Sequence, residues 1–143
     1  MFNEKTIEIH EDNVNKGFYD DYRVLITTIN TEKPELSKAL SQTFDAQRIA
    51  LIQSEASEAL EANRKGKFCV LSEDSRKIIL DASDEDFKRT FENGIKDTEE
   101  DEIADTLIRL FDYAGFKGID LDFHIAAKLR YNRMRAYKHG KTM

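Results

Sequence analysis

The stretch TFDAQRIALIQSEASEALEANRKG, residues 43–66, decides the fold. It runs without proline and without glycine until Gly66, and it is rich in Ala, Leu, Gln and Glu, which cost little in a helix. At about 100° per residue, Ile52, Ala56, Ala59 and Leu60 fall on the same side as Ile49, giving one apolar stripe. Gly66 stands where a left-handed residue stops a helix. The pattern predicts one long helix over about 43–65.

Working outward, the rest of the chain reads in the same way. Pro34 is the only proline, and the six glycines are spaced like punctuation. A first helix is expected over about 4–16, closing at Lys16-Gly17. Residues 30–40, with Thr31, Pro34 and Ser37, read as a loop or short helical turn. Ser83 with Asp86 three residues later is an acidic variant of the capping box, and Gly94 is expected to end the helix that follows. Thr98 is placed to cap another, with Glu99, Glu100 and Asp101 in its first turn as the helix dipole prefers. Its apolar side carries Ile103, Leu107, Leu110, Phe111 and Ala114, and Gly115 is expected to close it. A last helix should start near Asp120 and run towards Tyr137. Two short apolar runs, 68–71 and 77–80, flank the polar SEDSR and predict a small β-hairpin around 68–80. The expected fold class is therefore all-α, a helical bundle with at most that hairpin.

The chain of 143 residues, with 40% hydrophobic and 35% charged side chains, fits a single soluble domain over 1–143. No apolar run approaches the roughly 20 residues that a bilayer requires, so no membrane role is expected. The acidic opening MFNEKTIEIHED lacks a signal-peptide core, and Cys69 alone supports no disulfide framework; both point to a cytoplasmic protein. Cys69 reads as a small packed side chain. The net charge of −6 argues against general nucleic-acid binding. Charge is distributed unevenly. After Asp122 no acidic residue occurs, whereas Lys128, Arg130, Arg133, Arg135, Lys138 and Lys141 do. Such a tail can face phosphates while carboxylates elsewhere hold metal, or it can pair with acidic surface.

Two carboxylate pairs carry the chemistry: Glu55-x-x-Glu58 in the long helix and Glu102-x-x-Asp105 in the helix after Thr98. Residues three apart differ by about 60° around the axis and share a face. Each pair borders the apolar stripe of its helix, so packing stripe on stripe would gather four carboxylates at the edge of a core. Four anions there repel one another and resist desolvation. A divalent cation relieves both, and hard oxygen donors favour Mg²⁺, with Mn²⁺ as a substitute. Either pair alone reads more readily as a solvated helix face in a chain with 28 acidic residues.

Several separated segments resemble the MazG-like, all-α nucleoside triphosphate pyrophosphohydrolases. SEASEALEANRKGK (54–67) resembles their first acidic helix and KDTEEDEIADTLIRLFDYAG (96–115) the second. KLRYNRMRAYKHGK (128–141) is similar to the C-terminal substrate segment of phage-type members, and IEIHEDNVNKGFYDD (7–21) to their N-terminal part. The resemblance implies a bundle of the all-α NTP pyrophosphatase type, with Glu55, Glu58, Glu102 and Asp105 as metal ligands. It implies Lys128, Asn132, Arg135 and Lys141 near the triphosphate, with Arg133, Lys138 and His139 as further candidates. Phe18 and Tyr19 become candidates for a base pocket, against ordinary core packing, and His10 for a substrate contact, against a surface or capping role. Tyr19 stands where some relatives have Trp. The implied reaction is metal-dependent hydrolysis of a (deoxy)nucleoside triphosphate to the monophosphate and pyrophosphate. Glu55 or Glu58 would be the base, and the assembly a homodimer or higher homo-oligomer.

Four other readings stand beside this one. A ferritin-like di-iron site needs Glu three residues before His, but Ile7, Leu121 and Ala136 stand before His10, His124 and His139. No phosphate-binding G-x-x-x-x-G-K-[ST] loop is present. A non-catalytic helical nucleotide-sensing or interaction module remains, as does a nucleic-acid binder using the basic tail, which predicts steeply salt-dependent binding.

Overall fold

The computed structural model describes residues 1–135. Among these the chain is all-α, as expected, with seven α-helices, two 3₁₀ turns and no strand. The helices are α1 (Phe2–Asn15), α2 (Asp20–Glu32), α3 (Ser37–Arg64), α4 (Glu73–Ile78), α5 (Asp84–Gly94), α6 (Glu99–Lys117) and α7 (Leu121–Arg133). The 3₁₀ turns are Pro34–Leu36 and Ile79–Asp81. The described residues divide into two compact units, one formed by Met1–Leu25 with those from Phe111 to Arg135, the other by Ile26–Leu110.

In the unit formed by the two chain ends, α1 packs on α7 and on the last turns of α6. Gly17, at φ +83°, supplies the left-handed residue after α1. Asp122 accepts the backbone N–H of Phe2 at 2.9 Å, and Asp120 caps α7 by accepting the N–H of Phe123 at 2.9 Å. Gly115 does not close α6, which runs on to Lys117 and is followed by Gly118 at φ +63°. Its role is close approach: a Cβ there would meet the carbonyl oxygen of Thr6 at 2.5 Å and the Cβ of His10 at 2.7 Å. Tyr19 and Ala114 are buried beside this crossing.

In the other unit the long helix starts earlier than expected, at Ser37, directly after the 3₁₀ turn at Pro34. Its end is a Schellman motif, with Lys67 N–H on Ala62 O at 2.9 Å, Gly66 N–H on Asn63 O at 3.0 Å, and Gly66 at φ +65°. The start of α6 lies antiparallel to α3. Asn63 donates to Glu99 at 2.9 Å near one end of the contact, and Arg109 pairs with Glu55 further along it.

The expected hairpin at 68–80 is absent, and its polar turn shows why. Ser72 accepts the N–H of Ser75 at 3.1 Å, and Glu73 and Asp74 fill the first turn, so SEDS begins α4. Residues 68–71 are held instead by a Val70 N–H bond to Gly94 O at 3.2 Å and a Cys69 N–H bond to the Glu100 carboxylate at 2.9 Å. The cap of α5 is as expected, Ser83 accepting the N–H of Asp86 at 3.3 Å. Gly94 is the last residue of α5 and is buried against Leu71.

Candidate metal centre

Only two residues of the 28-residue α3 are buried, Glu55 and Ala62. A carboxylate in that position calls for compensation, since an unpaired charge out of water is costly. Part of it comes from Arg109, one turn after Asp105 on α6, whose Nε donates to Glu55 Oε1. The remainder of the surroundings is acidic. Glu55, Glu102 and Asp105 each offer a carboxylate oxygen, and these three atoms lie within 4.8 Å of one another. Glu102 is 8% exposed, whereas Asp105 opens to solvent.

Electrostatics follow from that crowding. Burial pushes the Glu102 carboxyl above its ordinary value, and the charges of Glu58, Asp101, Asp105 and Glu55 push it further. Burial raises Asp105 as well, joined by Asp101, Glu55 and Glu58, while Arg109 works in the opposite direction. Carboxylate oxygens from two helices are the hard donor type that Mg²⁺ or Mn²⁺ takes.

Of the four expected ligands, the structure brings together Glu55, Glu102 and Asp105. Glu58 stands beside them, exposed, its charge felt by both Glu102 and Asp105, and it shares with Glu102 a cleft of about 210 Å³. That cleft is also lined by Glu61, Ala62, Lys65, Lys67 and Asp97. Arg109, Lys65 and Lys67 were not singled out by the sequence reading. Arg109 was visible in principle, because it stands four residues after Asp105 and so shares its face.

The phosphate-binding candidates belong to the other unit. Lys128 and Asn132 lie on α7, with the Lys128 ammonium 5.4 Å from the centre of the Tyr131 ring, and Arg133 ends that helix. Arg135 follows it as an exposed side chain; Lys138, His139 and Lys141 lie outside the described residues.

Tyr19 is 1% exposed, stacks on Phe116 at 5.2 Å and donates its hydroxyl to Asp112 at 2.8 Å. This is core packing, with no open ring face left to stack on a base. Phe18 is 61% exposed. His10 Nδ1 lies 2.9 Å from the same Asp112 oxygen, so its partner is a buried carboxylate that the sequence reading passed over.

No protein-family model, curated protein or solved structure matches the chain.

Proposed function

We propose that the chain is a metal-dependent hydrolase that converts (deoxy)nucleoside triphosphates to the monophosphate and pyrophosphate, serving nucleotide-pool control or house-cleaning in the cytoplasm. The observation that carries this reading is the convergence of Glu55, Glu102 and Asp105 from α3 and α6, with donor atoms within 4.8 Å. The sequence resemblance to MazG-like enzymes supplies the reaction class.

Glu55, Glu102 and Asp105 would hold the cation, with Glu58 beside them. A bound Mg²⁺ supplies charge neutralisation at the phosphates and lowers the pKa of a coordinated water. The water oxygen attacks the α-phosphorus, the bond from that phosphorus to the bridging oxygen breaks, and pyrophosphate departs. Glu58 takes the water proton: it is exposed at the cleft, whereas Glu55 is buried and engaged by Arg109. Cationic side chains stabilise the charge that develops on the leaving group. The resemblance carries Lys128 and Arg135 as cationic candidates and Asn132 as a neutral hydrogen-bonding one.

A homodimer or higher assembly belongs to the same reading. Its support is the half-exposed apolar side chains of α3 and α6, among them Ile49, Leu60, Ile103 and Leu107. Light scattering on the purified chain tests it, and a strictly monomeric species across micromolar concentrations removes this element.

The metal assignment is tested by titrating Mn²⁺ into the wild type and the Glu102→Gln variant, read by electron paramagnetic resonance. The wild type should bind at micromolar to submillimolar concentrations, with binding weakened at least about tenfold in the variant. Equal binding in both removes Glu102 from the metal site. The alternative reading, a non-catalytic nucleotide-sensing module, predicts metal-dependent nucleotide binding without turnover.

A further inference from the structure

The cleft beside the carboxylates carries two lysines that the metal reading leaves unused. Lys65 and Lys67 line it together with Glu58, Glu61, Ala62, Asp97 and Glu102. Lys65 caps α3 and its ammonium is bridged to Glu61 at 2.9 Å. Lys67 is anchored more firmly, because its backbone joins the two helices that carry the acidic pairs. Its N–H bonds to Ala62 O at the end of α3 at 2.9 Å, and its carbonyl accepts the N–H of Glu99, the first residue of α6, at 2.9 Å. Gly66, at φ +65°, makes the turn that places it there. A lysine whose stem starts from a doubly anchored backbone loses less freedom on engaging a ligand than one on a loose loop.

We propose that Lys67, assisted by Lys65, binds the phosphoryl groups that leave as pyrophosphate, making this cleft the pyrophosphate end of the substrate site. This rests on the reading that the adjacent carboxylates hold a divalent cation. Size limits the occupant: complete small-ligand sites span about 300–1,000 Å³, so a cleft of about 210 Å³ takes a phosphate chain and leaves the nucleoside outside. Charge sets the order of binding. Four acidic residues and two lysines line the cleft, so an anion is repelled until a cation offsets the carboxylates. With the carboxylates holding a cation, Lys67 and Lys65 would be left to engage phosphate oxygens. Binding of inorganic pyrophosphate should therefore be metal-dependent and Lys67-dependent at once.

The test uses the full chain and inorganic pyrophosphate as the probe, titrated calorimetrically at fixed free Mn²⁺ and again in EDTA. Wild type, Lys67→Met, Lys65→Met and a Lys77→Met control on α4 are compared, each with its Mn²⁺ affinity measured separately. The methionine variants keep the backbone bonds and most of the stem, so the turn is preserved. The expected result is pyrophosphate binding only with Mn²⁺, weakened at least about tenfold by Lys67→Met, which is the scale of one charge-assisted hydrogen bond. Lys65→Met should weaken it less and Lys77→Met not at all, with Mn²⁺ affinity unchanged throughout. Normal Mn²⁺ binding with pyrophosphate affinity unaltered in Lys67→Met overturns this inference alone. A wild type that binds no Mn²⁺ overturns the metal reading, and this inference with it.

Discussion

Glu102 and Asp105 are held above their ordinary values of 4.5 and 3.8 by burial and by each other's neighbours, and the sign of that shift has consequences for stability. A carboxylate whose pKa is raised by folding binds protons more tightly in the folded state than in the unfolded one. Stability therefore falls as pH climbs from the ordinary value through the raised one, and the loss is complete above it. In EDTA, the melting temperature contributed by this site should decline as pH rises from about 4 towards neutrality. Mg²⁺ should shrink the decline, because the cation replaces the protons; a pH series of thermal melts with and without Mg²⁺ checks both. Metal affinity should correspondingly weaken as pH is lowered through the same range. Glu58→Gln removes the base and keeps a side chain of the same size at an exposed position, so turnover should drop at least about a hundredfold with the fold unchanged. Near-normal turnover in that variant sinks the assignment of the base. Arg109 is the resident counter-ion of Glu55. Arg109→Gln should lower stability in EDTA by about 1–2 kcal/mol, the worth of a partly exposed hydrogen bond to a charged group. The deficit should narrow when Mg²⁺ is added.

At the level of the helices, legibility follows how local the determining physics is. Caps and stops were readable: Ser83, Thr98, Asp120 and Gly66 act where their sequence neighbours place them. Helix α2 gave no such signal, since Val24, Ile26, Thr27, Thr28, Ile29 and Thr31 make it rich in β-branched residues of weak helix propensity. The SEDS segment was misread because a serine followed by acidic residues serves a turn and a helix start equally well. Gly115 was misread as a stop because its determinant is a partner 109 positions away in the chain, the carbonyl of Thr6. The acidic pairs were legible from spacing, whereas the Arg109 bond to Glu55 depends on how α3 and α6 are aligned. The buried Asp112 under His10 and Tyr19 likewise needed three elements brought together. Gly115→Ala tests the close-approach role: despite the better helix propensity of alanine, overpacking should destabilise by about 1–3 kcal/mol. That corresponds to a melting temperature lower by several degrees. A variant as stable as the wild type would show that α1 yields to the added methyl group.

For the molecule as a whole, the proposed cation would complete what the chain leaves electrostatically unresolved. Few apolar side chains are buried among the described residues, Tyr19, Ala62, Ile79 and Ala114, and the carboxylates of Glu55, Glu102 and Asp112 are buried as well. No helix of the described residues is long and apolar enough to cross a membrane. Binding of a cation at a hundred times its dissociation constant adds about 2.7 kcal/mol of stability. For a chain of this length that is roughly 5–10 °C in melting temperature, and calorimetry with Mg²⁺ against EDTA measures it. The central claim is about the reaction, and product analysis tests it most directly. Purified protein is incubated with a panel of ribo- and deoxynucleoside triphosphates in Mg²⁺, Mn²⁺ or EDTA, with pyrophosphate and orthophosphate assayed separately. The account predicts metal-dependent release of pyrophosphate with an equal amount of nucleoside monophosphate. Orthophosphate in its place would contradict attack at the α-phosphorus, and no turnover across the whole panel would contradict the enzyme reading itself.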